Sequence, residues 1–337
     1  MLNRARHYTL PELLVKKTHL HWYVAIGIFA LLMLSGLITT AVTAETPINK
    51  LGWNFWRVGL QGPAIIIYIL IIYPILTRMG DNAIESITPW VDLSREELAN
   101  LDSKYHKPNR LGEGISLTVG VVFILILSQP WKGTFEFNDI FLFITEIIMF
   151  GLLGLLIYYG FRNARYIAVI NKNLNLDLFN IDALAPIARW SLSISLAFIG
   201  GIVISIVFQN INNLIQWQTI LIYIILVVST VGMFFISLWS THMAILNIKR
   251  RELSVVEEKL AQSCRVLMQN ARENNSLADS SSSLSYDVAA WALYERRIRE
   301  TKEWPYNAGI IGRLIISIVS PGLIYVVRLL SGNLSGF

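Results

Sequence analysis

The chain has 337 residues, 54% of them hydrophobic and only 15% charged, with a mean hydropathy of +0.52. Soluble domains carry about 25% charged residues, so the composition excludes that class. The net charge of +5 gathers beside apolar runs, which fits anionic headgroups and argues against a nucleic-acid partner.

Residues 1–21 interleave Arg4, Arg6, Lys16 and Lys17 with Leu10, Leu13, Leu14 and Val15. Pro11 and Glu12 suit a first turn, and the pattern predicts an amphipathic helix lying on a membrane surface. The run from Trp22 to Ala44 exceeds the roughly 7–15 apolar residues of a signal peptide. It is expected to be an uncleaved first span, although Val42-Thr43-Ala44 resembles a cleavage site. Further windows of the roughly 20 apolar residues needed to cross a bilayer lie at 58–76, 115–131, 140–161, 187–209 and 219–247. Pro74 predicts a bend in the second. In the polar stretch that follows, Ser94 ahead of Glu96 and Glu97 predicts a capped helix start.

Charge divides the loops. Stretches 1–21, 77–114, 162–186 and 247–307 hold nearly all the Lys and Arg, whereas loops 45–57, 132–139 and 210–218 are nearly free of them. The positive-inside rule puts the basic group in the cytoplasm, with the N-terminus. Trp53, Trp56, Trp131 and Trp217 fall at the opposite boundary, and Trp22, Trp190 and Trp239 near the cytoplasmic one. Six spans thus form three hairpins with short outer loops. The hairpins share length and a basic exit but little residue identity, which membrane physics explains as readily as an internal repeat.

No Gly or Pro lies between Met233 and Glu303, so the sixth span is expected to run on into the cytoplasm. Leu253, Val256, Leu260, Ser263, Leu267 and Asn270 repeat at 3-4-3-4-3 spacing. This is either a short coiled-coil seam or a face packed on a neighbour in the same chain. A polar linker is read at 273–285. A second helix is expected from Asp287 to Glu303, with i,i+4 pairs Glu295/Arg299, Arg296/Glu300 and Arg299/Glu303 and an apolar stripe of Trp291, Tyr294 and Ile298. The segment 309–330 is long enough to span but contains Arg313, Pro321 and Arg328. It fits a seventh span, a re-entrant hairpin or an interfacial helix, and the span is the favoured expectation. The fold class is therefore all-α and polytopic. It divides into an interfacial helix (1–21), a six-span membrane domain (22–247), a cytoplasmic helical hairpin (248–304) and a C-terminal membrane segment (305–337).

Few residues suggest chemistry. Glu146 is the only acid well inside an apolar window, and an ionisable group there is a functional candidate by default. Arg313, Ser317 and Ser320 recur at i, i+4, i+7 and give the last segment a polar stripe suited to a water-filled axis. Gln209, Asn210, Asn212 and Asn213 suit either a pore mouth or a wet loop. Ser35/Gly36, Gly151/Gly154 and Gly200/Gly201 are expected at close helix contacts. His21 and His242 do not make a haem site, and His19 with His21 does not make a zinc site. Cys264, the single cysteine, permits no intrachain disulfide and argues against a cysteine metal site. No catalytic residue, cofactor or metal is expected.

Two segments carry a resemblance. One is Phe179-Asn180-Ile181-Asp182-Ala183-Leu184-Ala185-Pro186, leading to Arg189. The other is Tyr294-Glu295-Arg296-Arg297-Ile298-Arg299-Glu300, leading to Glu303-Trp304-Pro305-Tyr306. Together they resemble a set of uncharacterised bacterial and archaeal multi-spanning membrane proteins with an E-W-P-[FY] element before a hydrophobic C-terminus. The resemblance covers the second half of the chain. It implies a prokaryotic inner-membrane protein and attaches no activity. Trp304 and Pro305 are read as a candidate hinge between the cytoplasmic helices and the last segment. The functional expectation is a channel-like or passive-transport homo-oligomer in the lipid bilayer. The alternative is a non-catalytic accessory or scaffold subunit among other membrane subunits, and an enzyme is not expected.

Overall fold

A computed structural model describes residues 21–43, 52–106, 109–130, 137–174, 178–273, 280–304 and 308–334. The expected N-terminal interfacial helix, Trp131 and Pro305 lie outside these residues. The described chain is helical throughout, apart from one isolated antiparallel bridge between Val91 and Leu174. Its longer helices are α1 (Trp22–Thr43), α2 (Trp53–Ile87), α3 (Arg95–His106), α4 (Arg110–Ser128), α5 (Phe137–Asn171), α6 (Ala185–Phe208), α7 (Trp217–Glu273), α8 (Ser280–Glu300) and α9 (Ala308–Leu334). Six of these, α1, α2, α4, α5, α6 and α7, are long and apolar enough to cross a bilayer.

Small residues set the spacing of the helices, as they do where no hydrophobic difference drives association. A Cβ on Gly120 would collide with the carbonyl of Phe150, and one on Gly154 with that of Ser116, so α4 and α5 meet backbone to backbone. Gly36 leaves room for Phe141, and Gly200 for Tyr68. Tyr68 then donates its hydroxyl to the Ala197 carbonyl at 2.8 Å, tying α2 to α6. The indole of Trp22 donates to the Leu70 carbonyl at 3.0 Å and holds α1 on α2. α2, α5, α6 and α7 make the centre, around Tyr73, Ile167, Leu184, Ile187 and Trp190. Trp190, expected near an aromatic belt, is instead buried, with its N–H on the Leu76 carbonyl at 3.3 Å.

The helices outrun the apolar windows. α2 continues to Ile87 through residues expected to be loop, and α5 to Asn171. The 57 residues of α7 correspond to about 85 Å, nearly three bilayer cores. A Ser94–Glu97 capping box starts α3: the Ser94 N–H donates to Glu97 Oε2 at 3.0 Å, and the Glu97 N–H to Ser94 Oγ at 3.2 Å.

Past its apolar part, α7 pairs with α8. Leu253, Val256, Trp291, Tyr294 and Ile298 share the main core, so this part of the seam is covered within the chain. α8 begins at Ser280, inside the stretch read as a linker, because serine is only mildly unfavourable in a helix. The pairs Glu295/Arg299 and Arg296/Glu300 form as expected. The expected Arg299/Glu303 pair does not: Arg299 reaches Glu257 at 2.8 Å, and Glu303 meets Lys249 at 3.1 Å. The helix ends at Glu300, so the i,i+4 geometry is lost one residue short of Thr301 and well before Glu303.

α9 is one helix with Pro321 inside it. Its face toward α6 and α7 carries Ile318, packed with Leu192 and Phe234. Farther along, Tyr325 donates to the Leu214 carbonyl at 3.0 Å, and Arg328 donates to the Ile206 carbonyl. α9 therefore runs beside α6 as far as the α6–α7 turn.

Candidate functional site

A cavity of about 400 Å³ opens beside the α6–α7 turn. Its wall takes Val58, Gln61 and Tyr68 from α2, Ser128 from α4, and Thr145 and Glu146 from α5. Ser205 and Gln209 come from the end of α6, Asn213 and Gln216 from the turn, and Thr219 and Tyr223 from α7. Gln209 and Asn213 thus line the cavity, whereas Asn212 is exposed on the turn.

A hydrogen-bonded network from three helices lines one part of this wall. Gln61 Nε2 donates to Gln209 Oε1 at 2.9 Å and to Ser205 Oγ at 3.2 Å. Ser205 Oγ and the Tyr223 hydroxyl lie 3.1 Å apart. Gln209 Nε2 donates to Thr219 Oγ1 at 3.4 Å. These groups hold one another, and so keep a polar surface in place within an apolar bundle.

Glu146 stands apart from that network. It makes no hydrogen bond or ion pair with any described residue. A carboxylate in an apolar helix is tolerated where it faces a water-filled space. The cavity, at about 400 Å³, has room for several waters. The sequence argument found Glu146. It did not find Gln61, Ser205, Thr219 or Tyr223, whose only signal is an uncharged polar side chain within two or three turns of a span end.

The other sequence candidates are elsewhere. Arg313 is exposed, Ser317 donates to the Arg313 carbonyl at 2.6 Å, and Ser320 to the Ser317 carbonyl at 2.9 Å. The two hydroxyls are therefore satisfied by their own helix and need no water-filled axis. No residue of α9 lines the cavity. Trp304 stacks on His242, ring centroids 3.8 Å apart and planes within 7°. Nδ1 of that histidine donates to the Glu303 carbonyl at 2.7 Å. Lys249 Nζ donates to the carbonyls of Arg299 at 2.9 Å and Thr301 at 3.1 Å, capping α8. The segment around Trp304 is thus fastened to α7. The two motif segments behind the family resemblance also meet, since Phe179 packs against Tyr294 at 5.7 Å and under Arg297 at 4.4 Å.

A second buried acid escaped the sequence reading. Glu113, in the first turn of α4, is completely buried. It accepts from the Tyr159 hydroxyl at 2.7 Å and pairs with Arg110 at 3.2 Å. It looked like a loop residue because it precedes the apolar window. A smaller space of about 20 Å³ is bordered by Tyr73, Thr77, Tyr159, Asn163 and Trp190. Leu156 and Phe198 line both this space and the larger cavity.

Among the described residues, no group of three or more His, Cys, Asp or Glu is placed to hold a metal ion. The chain matches no family model, no curated protein and no solved structure.

Proposed function

We propose that this multi-pass membrane protein is a channel-like passive transporter of small cations, with the route inside each protomer. The observation that carries the reading is the 400 Å³ cavity beside the α6–α7 turn, where Glu146 has no partner among the described residues and stands beside a fixed wall of amides and hydroxyls. A lone carboxylate in a water-filled, low-dielectric pocket attracts a cation and repels an anion. The distribution of Lys and Arg supports an outer location for the short-loop end and a cytoplasmic N-terminus. The path of α9 beside α6 supports its reading as a seventh span. Prokaryotic inner membrane is the setting the family resemblance suggests. The stripe of Arg313, Ser317 and Ser320 drops out of the route.

The accessory-subunit reading has one observation in its favour. α4 presents an open apolar groove along Leu111, Ile115, Val119, Val122 and Ile126, a surface that another membrane helix would fit. A second copy of the chain would fit it equally, as the homo-oligomer reading requires.

The test is flux into vesicles containing the purified protein. Cation-selective uptake that falls at least ten-fold in Glu146→Gln supports the transporter. No flux, together with isolation from the membrane in a defined complex with other polypeptides by native mass spectrometry, supports the accessory subunit.

A further inference from the structure

We infer that the cation carried is the proton, and that Glu113 is the far terminus of its path from Glu146. The inference rests on the passive-transport reading and names its permeant.

Leu156 and Phe198 line both the large cavity and a second space of only about 20 Å³. Such a space holds one water, since a single probe sphere needs about 10–15 Å³. A metal ion would have to shed most of its hydration shell to enter, and no carboxylate among the described residues borders the space to replace those waters. One ordered water fits, with the hydroxyls of Thr77 and Tyr159 and the amide of Asn163 on its border. A proton passes along hydrogen bonds without needing the volume of an ion.

The next link is made. Tyr159 borders the one-water space and donates to Glu113 Oε1 at 2.7 Å. Glu113 Oε2 faces Arg110 at 3.2 Å; Glu113 itself is fully buried, and the Arg110 side chain that covers it is 44% exposed. Three other groups stand close. Arg162 lies over the Tyr159 ring at 5.7 Å, the ring of Tyr73 is 5.5 Å from that of Tyr159, and Tyr158 packs at Gly112. Along α5, Glu146 and Tyr159 are 13 residues apart, or about 20 Å. Glu146 thus lies well removed from the Tyr159–Glu113 pair, with Leu156 between them along α5.

The transfer balances at each step. A proton from the Glu146 cavity, carried by a water that passes between Leu156 and Phe198, protonates the water beyond them. That water gives a proton to the Tyr159 oxygen as the tyrosine passes its own to Glu113 Oε1. One O–H bond forms for each that breaks, the tyrosine stays neutral, and the Glu113 carboxylate becomes the acid. Glu113 releases the proton to water beside Arg110, and rotation of the tyrosine hydroxyl resets the chain.

The experiment uses the full chain in phosphatidylethanolamine–phosphatidylglycerol vesicles. An internal pH dye reads proton entry under a valinomycin-set potential, and parallel assays read sodium and, without valinomycin, potassium. The expected result is proton entry that falls at least ten-fold in Glu113→Gln and in Tyr159→Phe, and rises several-fold in Leu156→Ala. Recovery in Glu113→Asp separates loss of the acid from loss of the fold. Sodium or potassium flux without proton flux overturns this inference and leaves the transporter reading standing. Absence of every flux overturns both. Parental proton entry in Glu113→Gln and Tyr159→Phe removes Glu113 from the path.

Discussion

Glu113, fully buried, and Glu146, half-buried at a cavity wall, are the same residue type handled in opposite ways. Glu113 sits at the start of a helix, where the free N–H groups favour an anion, and it is held by Tyr159 and Arg110. Glu146 sits mid-helix, has no partner among the described residues and faces a cavity. A carboxylate that has been given partners contributes to the fold. One that has been left for water costs the fold stability and is kept for what it binds.

That contrast is open to direct attack. The largest effect is expected at Glu146. Glu146→Gln lowers cation flux ten-fold or more, and Glu146→Asp lowers it less, both read in vesicles. Thermal melting in detergent then separates the acids by sign. Glu113→Leu leaves Tyr159 and Arg110 without their acceptor and costs about 1–3 kcal/mol. Glu146→Leu removes an uncompensated carboxylate and leaves the melting temperature unchanged or higher. A drop equal to that of Glu113→Leu would erase the distinction.

Lys249 extends the contrast to a buried cation. Its ammonium caps the end of α8 and meets Glu303. Lys249→Met is expected to cost about 1–3 kcal/mol and to expose the α8 region to limited proteolysis, with flux unaffected.

The smallest effect belongs to the exposed Glu97. Bonds from the Ser94 N–H and hydroxyl hold its carboxyl below the ordinary range. Its contribution to α3 is therefore full above the unfolded carboxylate range and is lost as pH falls through the lowered value. Hydrogen exchange in α3, corrected for the intrinsic rate, is expected to quicken on acidification toward pH 3. Glu97→Gln keeps a capping side chain and removes that pH dependence.

Much of the fold was legible. The apolar windows placed six helices because a bilayer demands length and hydrophobicity together, and the absence of Gly and Pro after Met233 announced the extension of α7. Ser94 and Glu97 announced their capping box because its partners are three residues apart. The site was only half legible. Glu146 stood out against an apolar run, but Gln61, Ser205 and Tyr223 join only through contacts 144 and 18 positions apart in the chain. Glu113 was misread as a loop residue because its burial comes from α5, not from its own neighbours. The stripe at Arg313 was real as a pattern, but its hydroxyls turned inward to the backbone, which periodicity does not report.

The sequence by itself determined what a solvent can impose on a chain: apolar length, charge bias between loops, helix starts and the odd acid in an oily stretch. These depend on the energy of each residue in water or lipid, and so can be read locally. Only the tertiary structure decided which polar groups share a cavity, which acid is neutralised, and that Leu156 and Phe198 divide two polar spaces. Those depend on how helices cross, and the crossings are set by glycines and tyrosines meeting partners far away in the chain.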